Sequence, residues 1–176
     1  MLRIRLLILV FISSYFIAGC QRSDLGTTSA NPEQKFYNLP ELAKESLAAG
    51  RVEEARSYAQ ELLNLSSNFV TNWNYGNAIY DGNSVLGQIA LKEGRLDEAK
   101  QRLIDAAKSP GSPQLATFGP NMGLAKGLLE RGQKQVVLDY FELCRGFWKR
   151  QNGRLDKWEQ DLKMGKIPDF GPNLSH

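Results

Sequence analysis

Small and apolar residues return in the same order three times along this 176-residue chain. The segments LAKESLAAGRVEEARSYAQELL, LGQIALKEGRLDEAKQRLIDAA and LAKGLLERGQKQVVLDYFELCR begin at Leu42, Leu86 and Leu124. Each opens on leucine plus a small residue and reaches a glycine eight positions after that leucine, at Gly50, Gly94 and Gly132. Five positions later stands a small or β-branched residue: Ala55, Ala99 or Val137. The pattern predicts a helical hairpin in which the glycine takes the left-handed conformation that ends the first helix. Small residues on both arms then let two antiparallel helices approach closely. In the middle unit Leu96, Ala99, Leu103 and Ala106 recur at three- and four-residue steps and form one apolar stripe. Asp97, Glu98, Lys100 and Arg102 fall on its solvated side.

The units are not evenly spaced. Gly50 to Gly94 is 44 positions and Gly94 to Gly132 is 38, against roughly 34 for a minimal repeat of two helices. The extra residues fall in LSSNFVTNWNYGN and SPGSPQLATFGPN, before the second and third units. The latter reads as a rigid inter-repeat turn, with Pro120 entering the next helix. After the third unit GRLDKWEQDLK places Leu155, Trp158 and Leu162 on one side, as a helix capping the stack would. The closing IPDFGPNLSH is too rich in Pro and Gly to be helical, with Ile167 and Phe170 available to dock on the cap.

Residues 39–148 resemble the tetratricopeptide repeat, most closely in the middle unit, where Leu86, Gly87, Ala90, Gly94, Ala99, Leu103 and Ala106 stand at the family's spacing. The family's early tryptophan is absent, with Asn83 in its place in the middle unit and Asn121 in the third. The resemblance implies an all-α fold: a right-handed superhelix of about three hairpins over residues 37–165, with a C-terminal capping helix and an irregular tail at 166–176. It also implies that the first helix of each hairpin lines a concave groove, whose candidate partner-binding residues here are Lys44, Asp81, Ser84, Gln88 and Lys126. The Lys and Asn cluster with which some members clamp a peptide C-terminus is not reproduced, since Val85 stands where that clamp uses asparagine.

The N-terminal pattern is different. Arg3 and Arg5 precede the apolar run LLILVFISSYFIAG, which ends at Cys20; a charged start, apolar middle and small residues before a cleavage point make a secretory signal. The run is shorter than the roughly 20 apolar residues of a membrane span. Ile17, Ala18, Gly19 and Cys20 resemble the lipobox of bacterial lipoproteins. That resemblance implies a signal peptide over residues 1–19, lipid on Cys20 and a membrane anchor. Two or three acyl chains, at ~0.8 kcal/mol per buried methylene, would make the anchor permanent. Gln21 rather than Asp follows the cysteine, implying an outer-membrane address facing the periplasm. The polar QRSDLGTTSANPEQ reads as a flexible tether within residues 20–36, with a root-mean-square reach of about 20 Å.

Charge and chemistry narrow the function. The whole chain has 22 basic and 19 acidic residues, and removal of the leader takes Arg3 and Arg5 and no acid, leaving 20 and 19. A near-neutral chain has no electrostatic footprint for nucleic acid. The one histidine is His176, which excludes His-dependent catalytic sets and His-built zinc sites. The glycines of SPGSPQLATFGPNMG lack the Lys-Ser/Thr pair of a phosphate loop. No catalytic residue, metal or cofactor is expected. Cys144, with Cys20 lipidated, has no partner in the chain and reads as a small buried apolar group, an intermolecular disulfide or reactive thiol being the alternative. The Asn- and aromatic-rich stretch 68–83 either bonds its own backbone in an ordered loop or presents polar and stacking groups. The leading expectation is therefore a lipid-anchored scaffold that binds a protein or peptide of the bacterial envelope. The alternative is a module for a small molecule or cell-wall fragment, using Trp73, Tyr75, Asn77 and Tyr80.

Overall fold

The fold is taken from a computed structural model that describes residues 31–175. The expected signal peptide, Cys20, most of the expected tether and His176 lie outside the described residues. Within them are eight α-helices, two short 3-10 turns and no strand. The all-α class is thus correct.

Three helical hairpins carry the structure. Helices α1 (Pro32–Ala48) and α2 (Val52–Ser66) form the first, α3 (Tyr75–Lys92) and α4 (Leu96–Ala107) the second. A short helix, α5 (Pro113–Phe118), precedes the third, made of α6 (Gly123–Leu129) and α7 (Lys134–Phe147). Helix α8 (Arg154–Lys163) packs on α7 and ends the helical order.

Each hairpin turns on the same device. Gly50, Gly94 and Gly132 have φ of 76°, 76° and 75°, a region closed to most L side chains. At the first, the Gly50 N–H reaches Leu47 O at 3.1 Å and the Arg51 N–H reaches Ser46 O at 2.8 Å. This crossed pair of bonds satisfies carbonyls that the helix end would otherwise leave bare. Gly94 with Arg95, and Gly132 with Gln133, repeat it. So does the end of α8, where Gly165 bonds Leu162 O and Lys166 bonds Asp161 O. The next residue, Arg51 or Arg95, has ψ near 70°, which starts the returning helix at once.

Four sequence expectations are corrected. Helix α1 begins at Pro32, so residues 32–36 are helical and do not belong to the tether. The cause is local: Asn31 caps the helix by accepting from the Glu33 N–H at 3.0 Å, and proline at the first helical position has no N–H to leave unpaired. The segment before the third hairpin is not a plain turn, because Ser112 and Pro113 cap and open α5 in the same way, with Ser112 Oγ accepting from the Leu115 N–H at 3.0 Å. Pro120 stands three residues ahead of α6 and does not enter it. Finally the tail is ordered: Phe170 and Pro168 are buried while Ile167 stays exposed, and residues Gly171–Leu174 form a 3-10 turn.

The apolar stripes meet as expected. Ala55, Ala59, Ala99 and Ala106 are fully buried between hairpin arms. Helix α3 is the hub, packing against α1, α2, α4, α5 and α6. The largest core cluster runs from Tyr80 and Leu103 through Leu128, Tyr140 and Phe141 to Trp158 of α8 and Phe170 of the tail. The cap is held further by the Trp158 indole N–H, which donates to Asp169 O at 3.0 Å. Cys144 lies in this core with no exposed surface, and burial pushes its thiol far above the ordinary range, so it is a packing group without thiolate character.

Two glycine substitutions separate conformation from contact. Around Gly94 nothing lies within 4 Å of an added Cβ, so Gly94→Ala should cost only the left-handed penalty, about 1–2 kcal/mol. A Cβ on Gly76 would sit 1.8 Å from the backbone oxygen of Gly111. Gly76→Ala should therefore lose about 3 kcal/mol. Urea denaturation of both variants checks the order; equal losses would contradict it.

Candidate functional site

Positions 77, 81, 84 and 88 of α3 are separated by three- and four-residue steps, and position 80 lies three after 77 and four before 84, so their side chains share one broad face of the helix. That face looks across to Lys44 of α1 and borders a trough with two compartments of about 720 and 710 Å³. Lys44, Tyr80, Asp81 and Asn121 line both. Lys44 Nζ is 3.8 Å from an Asp81 oxygen and 3.3 Å from Glu41. Both contacts are half-solvated and hold the lysine loosely.

The compartments differ in chemistry. One lies along α1 and α3, where Glu41, Glu45, Asp81, Ser84, Gln88 and Lys92 make a polar wall of mixed sign. The other is bounded by α5 and by the turn between α7 and α8, which contributes Arg150, Asn152 and Arg154. Leu115 and the exposed ring of Phe118 give it apolar surface.

The chain's own tail crosses this trough. Pro172 and Asn173 line one compartment, Leu174 and Ser175 the other. Asn173 is the fastening: its Nδ2 donates to Phe118 O at 3.1 Å and Pro120 O at 3.0 Å, and its carbonyl accepts from the Met122 N–H at 2.7 Å. Its Oδ1 is buried without a partner, as is Trp148 Nε1.

Four of the five expected groove residues come together, namely Lys44, Asp81, Ser84 and Gln88. Lys126 lies outside both linings, with Nζ 3.9 Å from Glu130 one turn along α6. The alternative set is not assembled. Trp73 is exposed and stacks on Tyr37 with ring centroids 5.9 Å apart, away from the trough. Tyr75 is half-buried and lines neither compartment. Tyr80 is 3% exposed, and its hydroxyl donates to Asn121 O at 2.6 Å or shares a hydrogen with Tyr140 Oη at 3.1 Å. Burial drives its phenol upward, against the opposing hydrogen bond from Tyr140, so this ring is a buried strut with no face free for stacking.

The asparagines of 68–83 work inward. Asn72 Nδ2 donates to Tyr37 Oη at 2.8 Å, and Asn74 Oδ1 accepts from Asn77 Nδ2 at 2.7 Å. Asn77 also bonds Ser112 and Gln114, tying α3 to α5. Asn83, where the repeat family has tryptophan, accepts from Arg102 at 2.9 Å and donates to Ile79 O at 3.0 Å. A polar clasp between α3 and α4 thus replaces ring packing. Asn121, the other replacement, accepts from the Gly123 N–H at 2.8 Å and opens α6.

Arg150, Arg154 and Asn173 had no signal in the sequence that linked them to α3. The NG pair between the two arginines was the one available hint, since it marks a tight turn. Among the described residues no group of three His, Cys, Asp or Glu side chains could hold a metal, and no helix is long and apolar enough to cross a membrane.

Removing the fastening should be costly. Asn173→Ala leaves two buried carbonyls short of a donor and is expected to lose about 1–3 kcal/mol in urea melts. A neutral result would mean that Phe170 and the backbone bond from Met122 to Asn173 hold the tail without the side chain.

No family model, no curated protein and no solved structure matches this chain, so what the trough does has to be argued from its own chemistry.

Proposed function

We propose that this chain is a tetratricopeptide-like scaffold, lipid-anchored in the bacterial envelope at its outer membrane, which grips a protein or peptide along the trough between α1 and α3. The observation that carries this reading is the stripe of Asp81, Ser84 and Gln88 facing Lys44. Three hairpins with one shared turn geometry support a superhelix whose first helices form the concave side. The wall's mixed charge suits a polar peptide, and the half-exposed Lys44–Asp81 pair can be remade with incoming groups at little cost. The hairpins' own ion pairs, such as Arg51 with Glu54 at 2.6 Å and Arg56 with Glu93 at 2.6 Å, lie outside both linings.

A photo-crosslinking amino acid at Gln88 of the full chain, expressed in bacterial envelopes, should give discrete protein adducts that the same group at Lys100 on α4 does not. Ser84→Arg should remove them. Identical patterns from both positions, or adducts insensitive to Ser84→Arg, would overturn the proposal.

Anchoring is tested separately. Labelled palmitate should enter the wild-type chain and not Cys20→Ser, and the variant should leave the membrane fraction; label retained by the variant rejects the anchor.

A further inference from the structure

The compartment between α5 and the α7–α8 turn has a chemistry that a peptide-gripping trough does not need. Arg150 and Arg154 both line it. Among the described residues neither guanidinium has a carboxylate within ion-pair distance. Of the other described arginines, Arg51, Arg56, Arg95, Arg102 and Arg145 each meet an acid, while Arg131 bonds the Gly127 carbonyl.

The two arginines are also positioned. Between them Asn152 and Gly153 have φ of 51° and 77°, and Asn152 is the one non-glycine residue with positive φ among the described residues. Two successive left-handed residues reverse the chain, which brings side chains four positions apart to one cavity. Arg150 is pinned through its backbone N–H, which reaches Ala116 O at 3.0 Å beside α5. The Arg154 guanidinium carbon lies 5.8 Å from the centroid of the buried Trp148 ring, within range of a cation–π contact. Both arginines are exposed, so their charge is solvated at little cost and is open to a bound anion.

The remaining lining sets the rest of the ligand. Phe118 is 64% exposed at the rim, and Leu115 lies behind it. Among the carboxamides of the lining, Asn77 and Gln114 bond each other, and the exposed Asn152 offers a group that matches an amide in both donor and acceptor. Asn173 Oδ1 is a buried acceptor in the wall, still without a donor. The N–H groups that open α8 are not available to an anion: those of Arg154 and Leu155 already bond Gln151. Recognition of charge therefore falls to the guanidinium forks, whose planar geometry fits a carboxylate or a phosphate, and the Asp81 carboxylate in the same lining disfavours the dianion.

The two compartments have nearly the same volume, so what favours a small molecule over an extended chain here is the tail. The volume, about 720 Å³, falls in the range of small-ligand pockets. A peptide threading the whole trough would have to lift the tail off its bonds to Phe118, Pro120 and Met122.

We infer that this compartment binds a small organic carboxylate that carries an apolar or aromatic body and an adjacent amide, with Arg150 and Arg154 on the carboxylate and Phe118 against the body. The site shares Lys44, Tyr80, Asp81 and Asn121 with the Ser84–Gln88 compartment and differs from it in Arg150, Arg154 and Phe118, and it stands or falls independently of the scaffold reading.

Three probes test it by calorimetric titration of the full chain: N-acetyl-L-phenylalanine, its uncharged amide, and phenyl phosphate. The acid should bind, with the amide at least tenfold weaker and phenyl phosphate weaker than the acid. Arg150→Gln should weaken the acid at least tenfold at an unchanged melting temperature, because only the backbone of Arg150 contributes to the fold. The double variant with Arg154→Gln should abolish binding, and because Arg154 rests on Trp148 the single variant is the decisive one if the double melts early. Ser84→Arg should leave the titration unchanged. No heat from any probe at millimolar concentration, equal binding of acid and amide, tighter binding of phenyl phosphate, or indifference to Arg150→Gln would each overturn the inference.

Discussion

Everything else in this molecule leans on how closely its neighbours approach α3. At Gly82 an added Cβ would stand 2.7 Å from Leu63 of α2, and at Gly87 it would stand 2.3 Å from Leu124 of α6. At Gly76 the loop before α5 comes nearer still. A helix with so many glycines is poor by propensity, each costing roughly 1 kcal/mol against alanine. Tertiary packing compensates. The absent side chains let elements from both flanking hairpins touch the α3 backbone, and that contact fixes the line along which Asp81, Ser84 and Gln88 face α1. The trough is a by-product of a helix packed closely on its other sides.

How much of this was legible depended on range. The turns at Gly50, Gly94 and Gly132 were readable because a Schellman end needs one residue type at one position. The buried faces of α4 and α8 were readable because helical periodicity is a local property. Lost to view were features set by contacts across many residues. The Asn77–Ser112 bond spans 35 positions, and the Asn173 bonds to Pro120 and Phe118 span 53 and 55. Tyr80 was ambiguous for a physical reason: a tyrosine has one apolar body and one polar tip, and the sequence does not tell whether the tip finds water or, as here, Asn121 and Tyr140. Helix α5 was different. Its Ser-Pro opening was in plain sight, but a segment with so many prolines and glycines favours the turn reading.

The tail changes what kind of groove this is. The last described residues lie in the trough, anchored by Phe170 in the core and by Asn173 on the loop before α6. The result is a trough split into a mixed-charge part beside the first hairpin and a cationic part beside the cap. The cap thus does more than shield the apolar end of α7. Through Arg150, Arg154 and the tail it supplies one wall of a trough whose other wall is α3.

Cys144 completes the picture from the inside. Its sulfur is sealed among Tyr140, Phe141 and Phe147, and it is the one cysteine among the described residues. The domain therefore owes none of its cohesion to covalent cross-links. Its assembly needs neither an oxidant nor a disulfide isomerase, and a reductant has nothing in it to cut.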